Sequence, residues 1–118
     1  MKIVDVILEG AEPNLVSRAR VASSMWSRFW GLMVRRSLPS HEGLLIDPCN
    51  SVHTFFMRFP IDVLFLDEDN RVLKIATELR PFRVAVGRGA RRVLEIAAGR
   101  AASVGVRAGD KVTLREDL

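Results

Sequence analysis

The stretch SVHTFFMRFPIDVLFLD, residues 51–67, is the most apolar part of the chain and the part around which the rest is organised. It contains one of only two histidines, His53, and a carboxylate, Asp62, set among apolar neighbours. A polar group in a core segment must be hydrogen-bonded or take part in function, because burying it unpaired costs free energy. The stretch therefore marks both the centre of the fold and the first place to search for a site.

Short apolar segments separated by turn residues lie on both sides of this stretch and predict a mostly β protein. The strands are expected at residues 2–8, 15–21, 43–47, 52–57, 61–66, 71–79, 84–86, 93–97 and 111–115. The polar turn at residues 67–70 predicts a hairpin between the fifth and sixth of these strands, and the first two strands are expected to form another. Residues 101–104 are expected to form one helical turn.

One main α-helix is expected over about residues 24–36. Ser23 and Ser24 are suitable N-caps, and a stripe of Met, Phe, Leu and Trp side chains follows at helical spacing. The stripe favours packing on the core, although Trp and Arg on a short helix also suit a membrane surface. The fold class that follows is α+β: a small, mostly β, barrel-like mixed sheet with this helix packed on it.

Length and composition indicate one soluble domain spanning residues 1–118. Apolar residues make up 48% of the chain and charged residues 27%, which is ordinary for a globular protein. No run approaches the roughly 20 apolar residues of a membrane helix, and the N-terminus lacks the apolar centre of a signal peptide. The single Cys49 suits a reducing compartment, so we expect a cytoplasmic protein.

Several short motifs, in order, resemble a known family. They are GLM at 31–33, EGLLI at 42–46, VHTFFMRFPID at 52–62, VLFLD at 63–67, VLE at 93–95 with AG at 98–99, Gly105, and GD at 109–110. Over about residues 20–113 the chain resembles the domain of unknown function 192 family, also called uncharacterised protein family 0127. The resemblance implies a barrel-like, mostly β fold found in bacteria and archaea, and it implies no activity. We expect a bacterial member.

Seven residues are candidate ligand contacts: His53, Thr54, Met57, Arg58, Asp62, Arg80 and Glu95. His53 is suited to contact a ligand or to carry a proton near neutral pH, and the alternative is a half-buried histidine bonded to the backbone. Asp62 is either a pocket group or a structural carboxylate. In the structural interpretation, which we favour, it accepts backbone amides at the Phe-Pro bend or pairs with Arg58 or Arg80.

Glu95 is a second acid in an apolar strand. If Asp62 and Glu95 faced one cavity, they could form an acid/base pair, although nothing in their spacing shows that they meet. We expect no structural metal, because the chain has only three Cys and His side chains where a zinc site takes four ligands. We also expect no cofactor, since Arg92 stands where a dinucleotide fingerprint needs its third glycine.

Three functions follow from these residues. The first, which we favour, is a module that binds a small molecule; if the molecule is anionic, Arg58 or Arg80 would hold its anionic group. The second is an acid/base enzyme that uses Asp62 and Glu95. The third is a protein or nucleic-acid interaction domain that uses arginines 35, 36, 83, 88, 91 and 92. The net charge is only +4, and the aromatic residues cluster in apolar contexts instead of among arginines, so a nucleic-acid partner is not expected.

Overall fold

The computed structural model describes residues 3–9, 15–22, 37–55 and 57–116. The helix expected at residues 24–36 lies outside these ranges. The elements are β1 (Ile3–Leu8), β2 (Val16–Ala22), β3 (Glu42–Ile46), β4 (Ser51–His53), β5 (Ile61–Leu66), β6 (Val72–Leu79), β7 (Val84–Val86), β8 (Arg92–Ala97), α1 (Arg100–Val104) and β9 (Val112–Glu116). This confirms the predicted α+β, mostly β class. In the described part of the chain no helix is long and apolar enough to cross a membrane.

Seven strands form one mixed sheet in the order β6-β5-β8-β3-β2-β1-β9. The pair β2–β3 is parallel and the other pairs are antiparallel, including the predicted hairpins β1–β2 and β5–β6. The two edge strands approach each other only at their beginnings, where Arg71 bridges Lys111 and the Val72 amide donates to the Asp110 carbonyl at 2.7 Å. The sheet is therefore a curled half-barrel, as the barrel-like prediction required.

Strand β5 is the centre of the fold because both of its faces are buried. Leu64 and Leu66 point to the inside of the curl, where they pack with side chains of β1, β2, β8 and β9. Val63 and Phe65 point to the outside and belong to a second apolar cluster. The continuous apolar run in the sequence therefore marks a strand between two layers.

A two-stranded sheet, β4–β7, covers the outer cluster. Val52 and Ala85 point inward, while His53 pairs with Val84 on the outer face. The connection after β7 lies directly on the core, since a Cβ added at Gly87 would come within 2.4 Å of the Phe65 ring. Only glycine fits this close approach.

Candidate functional site

Asp62 is a fully buried carboxylate whose hydrogen bonds go to backbone amides. Its Oδ1 accepts the Glu78 amide at 2.8 Å, and its Oδ2 accepts the amides of Gly99 at 3.1 Å and Ala101 at 3.0 Å. Glu78 has a positive φ of 49° at the end of β6, and Gly99 precedes α1. Asp62 thus joins three chain segments. The donors are backbone amides, as in the structural interpretation, but they belong to the end of β6 and the start of α1 and not to the Phe-Pro bend.

Asp62 and Glu95 lie on opposite faces of the sheet. Asp62 pairs with Ile96, which packs inside the curl, whereas Glu95 pairs with Val63, which packs in the outer cluster. Residues directly opposite on neighbouring strands share a face, so the two carboxylates are separated by the sheet itself. They cannot act as an acid/base pair on one bound molecule, and Glu95 is fully buried as well.

Thr54 fastens the end of β4 to the loop that precedes β7. Its hydroxyl donates to the Arg80 carbonyl at 2.5 Å and accepts the Arg83 amide at 2.9 Å. Its backbone carbonyl accepts the amides of Phe82 at 3.1 Å and Met57 at 3.2 Å. The bond to Met57 turns the chain at the residue that is bonded to Arg80, Phe82 and Arg83 of the loop. For both reasons β4 ends at His53 and does not continue to Met57 as the sequence predicted.

The structure therefore does not bring all seven candidate residues together at one site. Thr54, Met57, Asp62 and Glu95 are buried, and Met57 packs in the outer cluster. Neither Arg58 nor Arg80 pairs with Asp62, whose oxygens are held by amides. His53, Arg58 and Arg80 remain accessible or partly accessible, and they belong to the outer surface of β4–β7 and its adjoining loops.

That outer surface carries a row of aromatic rings. The ring centroids of His53 and Phe55 are 5.3 Å apart, and those of Phe55 and Phe82 are 6.2 Å apart. Phe55 is 39% exposed and Phe82 is 62% exposed, and Val84 and Val86 of β7 are exposed beside them. We call these five residues the ring face. Four of them are among the most exposed large apolar residues of the described chain, so the ring face is a concentrated apolar surface.

Phe82 is held in this position against its own backbone preference. Its φ is 62°, in the left-handed region that bulky side chains avoid. Its amide donates to the Thr54 carbonyl at 3.1 Å, and its own carbonyl accepts Arg83 Nη1 at 3.3 Å. Strain of this kind clusters at functional sites. Phe82 was not among the candidate residues predicted from sequence, although the run RPFR at residues 80–83 places an aromatic ring between two arginines.

Four exposed arginines lie in or beside the segments that carry the ring face: Arg58, Arg80, Arg83 and Arg88. Within the described residues, none of the four forms an ion pair with a carboxylate. By contrast, Arg91 and Arg92 both bind Asp47, at 3.1 and 3.0 Å. A nucleic-acid partner was not expected from sequence because the aromatic residues cluster in apolar contexts. On the ring face, however, exposed rings lie in the same segments as arginines that form no ion pair with a described carboxylate.

A cavity lies at the mouth of the half-barrel, at the end away from α1. This cavity has a volume of about 240 Å³ and is lined by Val4, Val21, Leu45, Asp47, Arg92, Leu114 and Glu116. Its polar groups are committed to structure: Arg92 binds Asp47 and also donates to Asn70 Oδ1 at 2.9 Å. The described ranges hold no group of three His, Cys, Asp or Glu side chains close enough to bind one metal ion.

Comparison with known proteins places the chain in a family. The family model for DUF192, described as an uncharacterized ACR, matches residues 6–114. A UPF0127 protein of Pyrococcus abyssi is 33% identical over 113 residues, covering 91% of this chain and 94% of its own length. A UPF0127 protein of Pyrococcus horikoshii is 32% identical and covers 91% and 96%.

Two crystal structures share the fold. A protein of unknown function from Novosphingobium aromaticivorans superposes with a TM-score of 0.79 at 32% identity, covering 94% of this chain and 84% of its own. A Sinorhizobium meliloti protein, titled a putative transcription regulator, gives 0.80 at 25% identity and covers 96% and 92%. The similar proteins come from archaea and bacteria. The chain therefore belongs to the DUF192 family, whose curated members carry the name UPF0127.

Proposed function

We propose that this protein binds a small anionic molecule that carries a flat ring, and that it binds it on the ring face. Phe55 and Phe82 would pack on the ring of the ligand, and Arg80 and Arg83 would hold its carboxylate or phosphate. The observation that carries the proposal is the row of exposed rings beside arginines that have no carboxylate partner in the described structure.

The chemistry of the two residue types supports this choice. Aromatic faces attract other flat rings, and a guanidinium pairs with carboxylate or phosphate through two parallel hydrogen bonds. Thr54 fixes both parts relative to each other, because it bonds the backbone of Arg80, Phe82 and Arg83. A pre-positioned site loses less free energy on binding than a flexible one.

The proposal keeps part of the sequence-based site and revises the rest. His53, Arg58 and Arg80 remain candidate contacts, and Thr54 becomes a positioning residue. Asp62, Glu95 and Met57 leave the candidate set because they are buried away from the ring face. With the two acids on opposite sides of the sheet, the acid/base alternative has no geometric support.

Calorimetric titration with adenosine 5′-monophosphate tests the proposal, with adenosine and inorganic phosphate as the two half-ligands. We expect the nucleotide to bind about tenfold or more tightly than either half, because ring and anion contribute together. A second probe, 3-phenylpropionate, asks whether a carboxylate replaces the phosphate. Nucleotide binding no tighter than that of phosphate alone would contradict the proposal.

Matched variants locate the site. Arg83→Ala is expected to weaken nucleotide binding about tenfold, as loss of a charged hydrogen bond does. Arg107→Ala is the control, since Arg107 is an exposed arginine that follows α1 and lies outside the ring face. Equal losses in the two variants would mean that the anion responds only to net charge, and the ring face would not be the site.

A further inference from the structure

The ring face offers several rings in a row, which is more than a single flat ligand needs. His53, Phe55 and Phe82 follow one another with interplanar angles of 34° and 33° and centroid separations of 5.3 and 6.2 Å. From this row we propose that the anionic, flat-ringed group bound on the ring face is the nucleotide unit of a single-stranded nucleic acid, with successive bases packed on successive rings. The inference rests on the function proposed above and names its ligand class.

The spacing of the rings favours a single strand over a duplex. Bases stacked in a helical strand are about 3.4 Å apart, which is much less than either centroid separation. A base on each ring must therefore be unstacked from its neighbours, as bases are when proteins bind them on aromatic side chains. A double helix keeps its bases paired and stacked, so it cannot present them in this way.

The charges around the row suit a phosphate backbone. Arg80 and Arg83 flank Phe82 in the sequence, and Arg88 follows β7 two residues after Val86. All three are exposed and none pairs with a carboxylate in the described ranges. Rings interleaved with unpaired cations are the common design of proteins that bind single strands without reading sequence.

A protein partner with an acidic segment would also match the charge, but the shape of the ring face suits it less well. Anchoring side chains of protein partners usually enter pockets. A cavity at the barrel mouth and another beside Pro48 and Arg91 both lie elsewhere. On the ring face the exposed elements are rings and the short side chains Val84 and Val86. These offer flat surfaces on which bases can stack.

A length series tests the inference. Thymidine 5′-monophosphate and oligothymidylates of two, three and six nucleotides are titrated into the full chain by calorimetry. We expect each added nucleotide up to the third to strengthen binding about fivefold or more, since each places another base on a ring. Beyond the third, affinity should level off apart from the extra registers that a longer strand offers. A duplex of the same length should bind more weakly than the single strand.

Two variants separate stacking from charge. Phe55→Ala is expected to weaken trinucleotide binding about fivefold or more, while Leu73→Ala, which removes a side chain of equal exposure from β6, leaves it unchanged. Arg83→Ala is expected to reduce the slope of log K against log salt by about 0.7, the value for one phosphate contact on a single strand.

The outcomes distinguish this inference from the function on which it rests. If adenosine 5′-monophosphate binds as proposed but affinity does not rise with length, the single-strand inference is overturned and the small-ligand function stands. If neither mononucleotide nor oligonucleotide binds, both are overturned. Tighter binding of an acidic peptide rich in Glu and Phe than of the trinucleotide, abolished by Phe55→Ala, would assign the ring face to a protein partner instead.

Discussion

Asp62 and Phe82 each occupy the environment that the other would be expected to prefer. The carboxylate of Asp62 is completely buried, and the phenyl ring of Phe82 is 62% exposed. The buried acid is compensated, because three amides donate to it and join β5, β6 and the start of α1. The exposed ring gains little from folding, and its backbone is strained as well.

The difference shows how to separate structural from functional residues in this fold. The presence of a polar group that is buried and fully hydrogen-bonded is explained by its contribution to the stability of the fold. The exposed ring of Phe82, on a strained backbone, is not explained in this way, and the proposed ligand binding on the ring face would explain it. Variants at Asp62, Gly87, Thr54 and Phe82 test both halves of this contrast.

Removing the carboxylate of Asp62 should have the largest effect. In Asp62→Ala three amide donors, one of them buried, lose their acceptor, and we expect a loss of about 4 kcal/mol in the free energy of unfolding. Urea denaturation measures it. Glu68→Ala, which removes an exposed acid from the β5–β6 turn, is the control and should change stability by less than about 0.5 kcal/mol. A loss at Asp62 as small as that of the control would contradict the structural role.

Gly87→Ala should cause the second largest loss of stability. The variant tests how closely the connection after β7 lies on the core. The added methyl would meet the buried Phe65 ring at 2.4 Å, and relieving this overlap should cost about 2–3 kcal/mol. Gly105→Ala is the comparison variant, because it introduces backbone strain without a steric clash. Gly105 has a φ of 85° but open space around it, so only about 1 kcal/mol is expected there. Thermal unfolding of both variants gives the comparison.

Thr54→Val removes the hydroxyl that ties β4 to the loop before β7 while keeping the side-chain volume. The Arg83 amide loses its acceptor and the Arg80 carbonyl its donor, so we expect a loss of about 2 kcal/mol. Ligand binding on the ring face should weaken too, since the rings lose their support. Thr77→Val, at an exposed position of β6, should leave both stability and binding unchanged. If Thr54→Val lowered stability without affecting binding, Thr54 would not be a positioning residue.

Phe82→Gly should have the smallest effect on stability and the opposite sign. Glycine adopts a positive φ without strain, and little buried area is lost, so we expect between no change and a gain of about 1 kcal/mol. Nucleotide binding, in contrast, should fall about fivefold or more. Denaturation and calorimetry on the same preparation show whether stability and binding separate. A destabilised variant with intact binding would mean that Phe82 is an ordinary packing residue.

Much of the fold could be predicted from sequence because it depends on local patterns. The alternation of apolar residues located the strands, and the acidic turn at residues 67–70 located the β5–β6 hairpin. The length of β4 could not be predicted, since it ends where Thr54 bonds to residues 26 and 29 positions away. Contacts of that range leave no periodic signal in the chain.

The site was harder to predict for the same reason. Whether Asp62 and Glu95 share a face depends on the register between β5 and β8, and a shift of one residue would reverse the answer. The exposure of Phe82 depends on a left-handed backbone conformation, which is usually marked by glycine in a sequence and here is adopted by phenylalanine. The useful sequence signal was the run RPFR, which places a ring between two cations.

The most direct test of the account is a titration of the ¹⁵N-labelled protein with adenosine 5′-monophosphate, followed by amide chemical shifts. We expect the largest and saturable shifts to fall at residues 53–55 and 80–86, and we expect Phe82→Gly to raise the nucleotide concentration needed for half-saturation about fivefold or more. Shifts concentrated at Asp47, Arg92 and Glu116 would place the ligand in the barrel mouth and contradict the assignment of binding to the ring face.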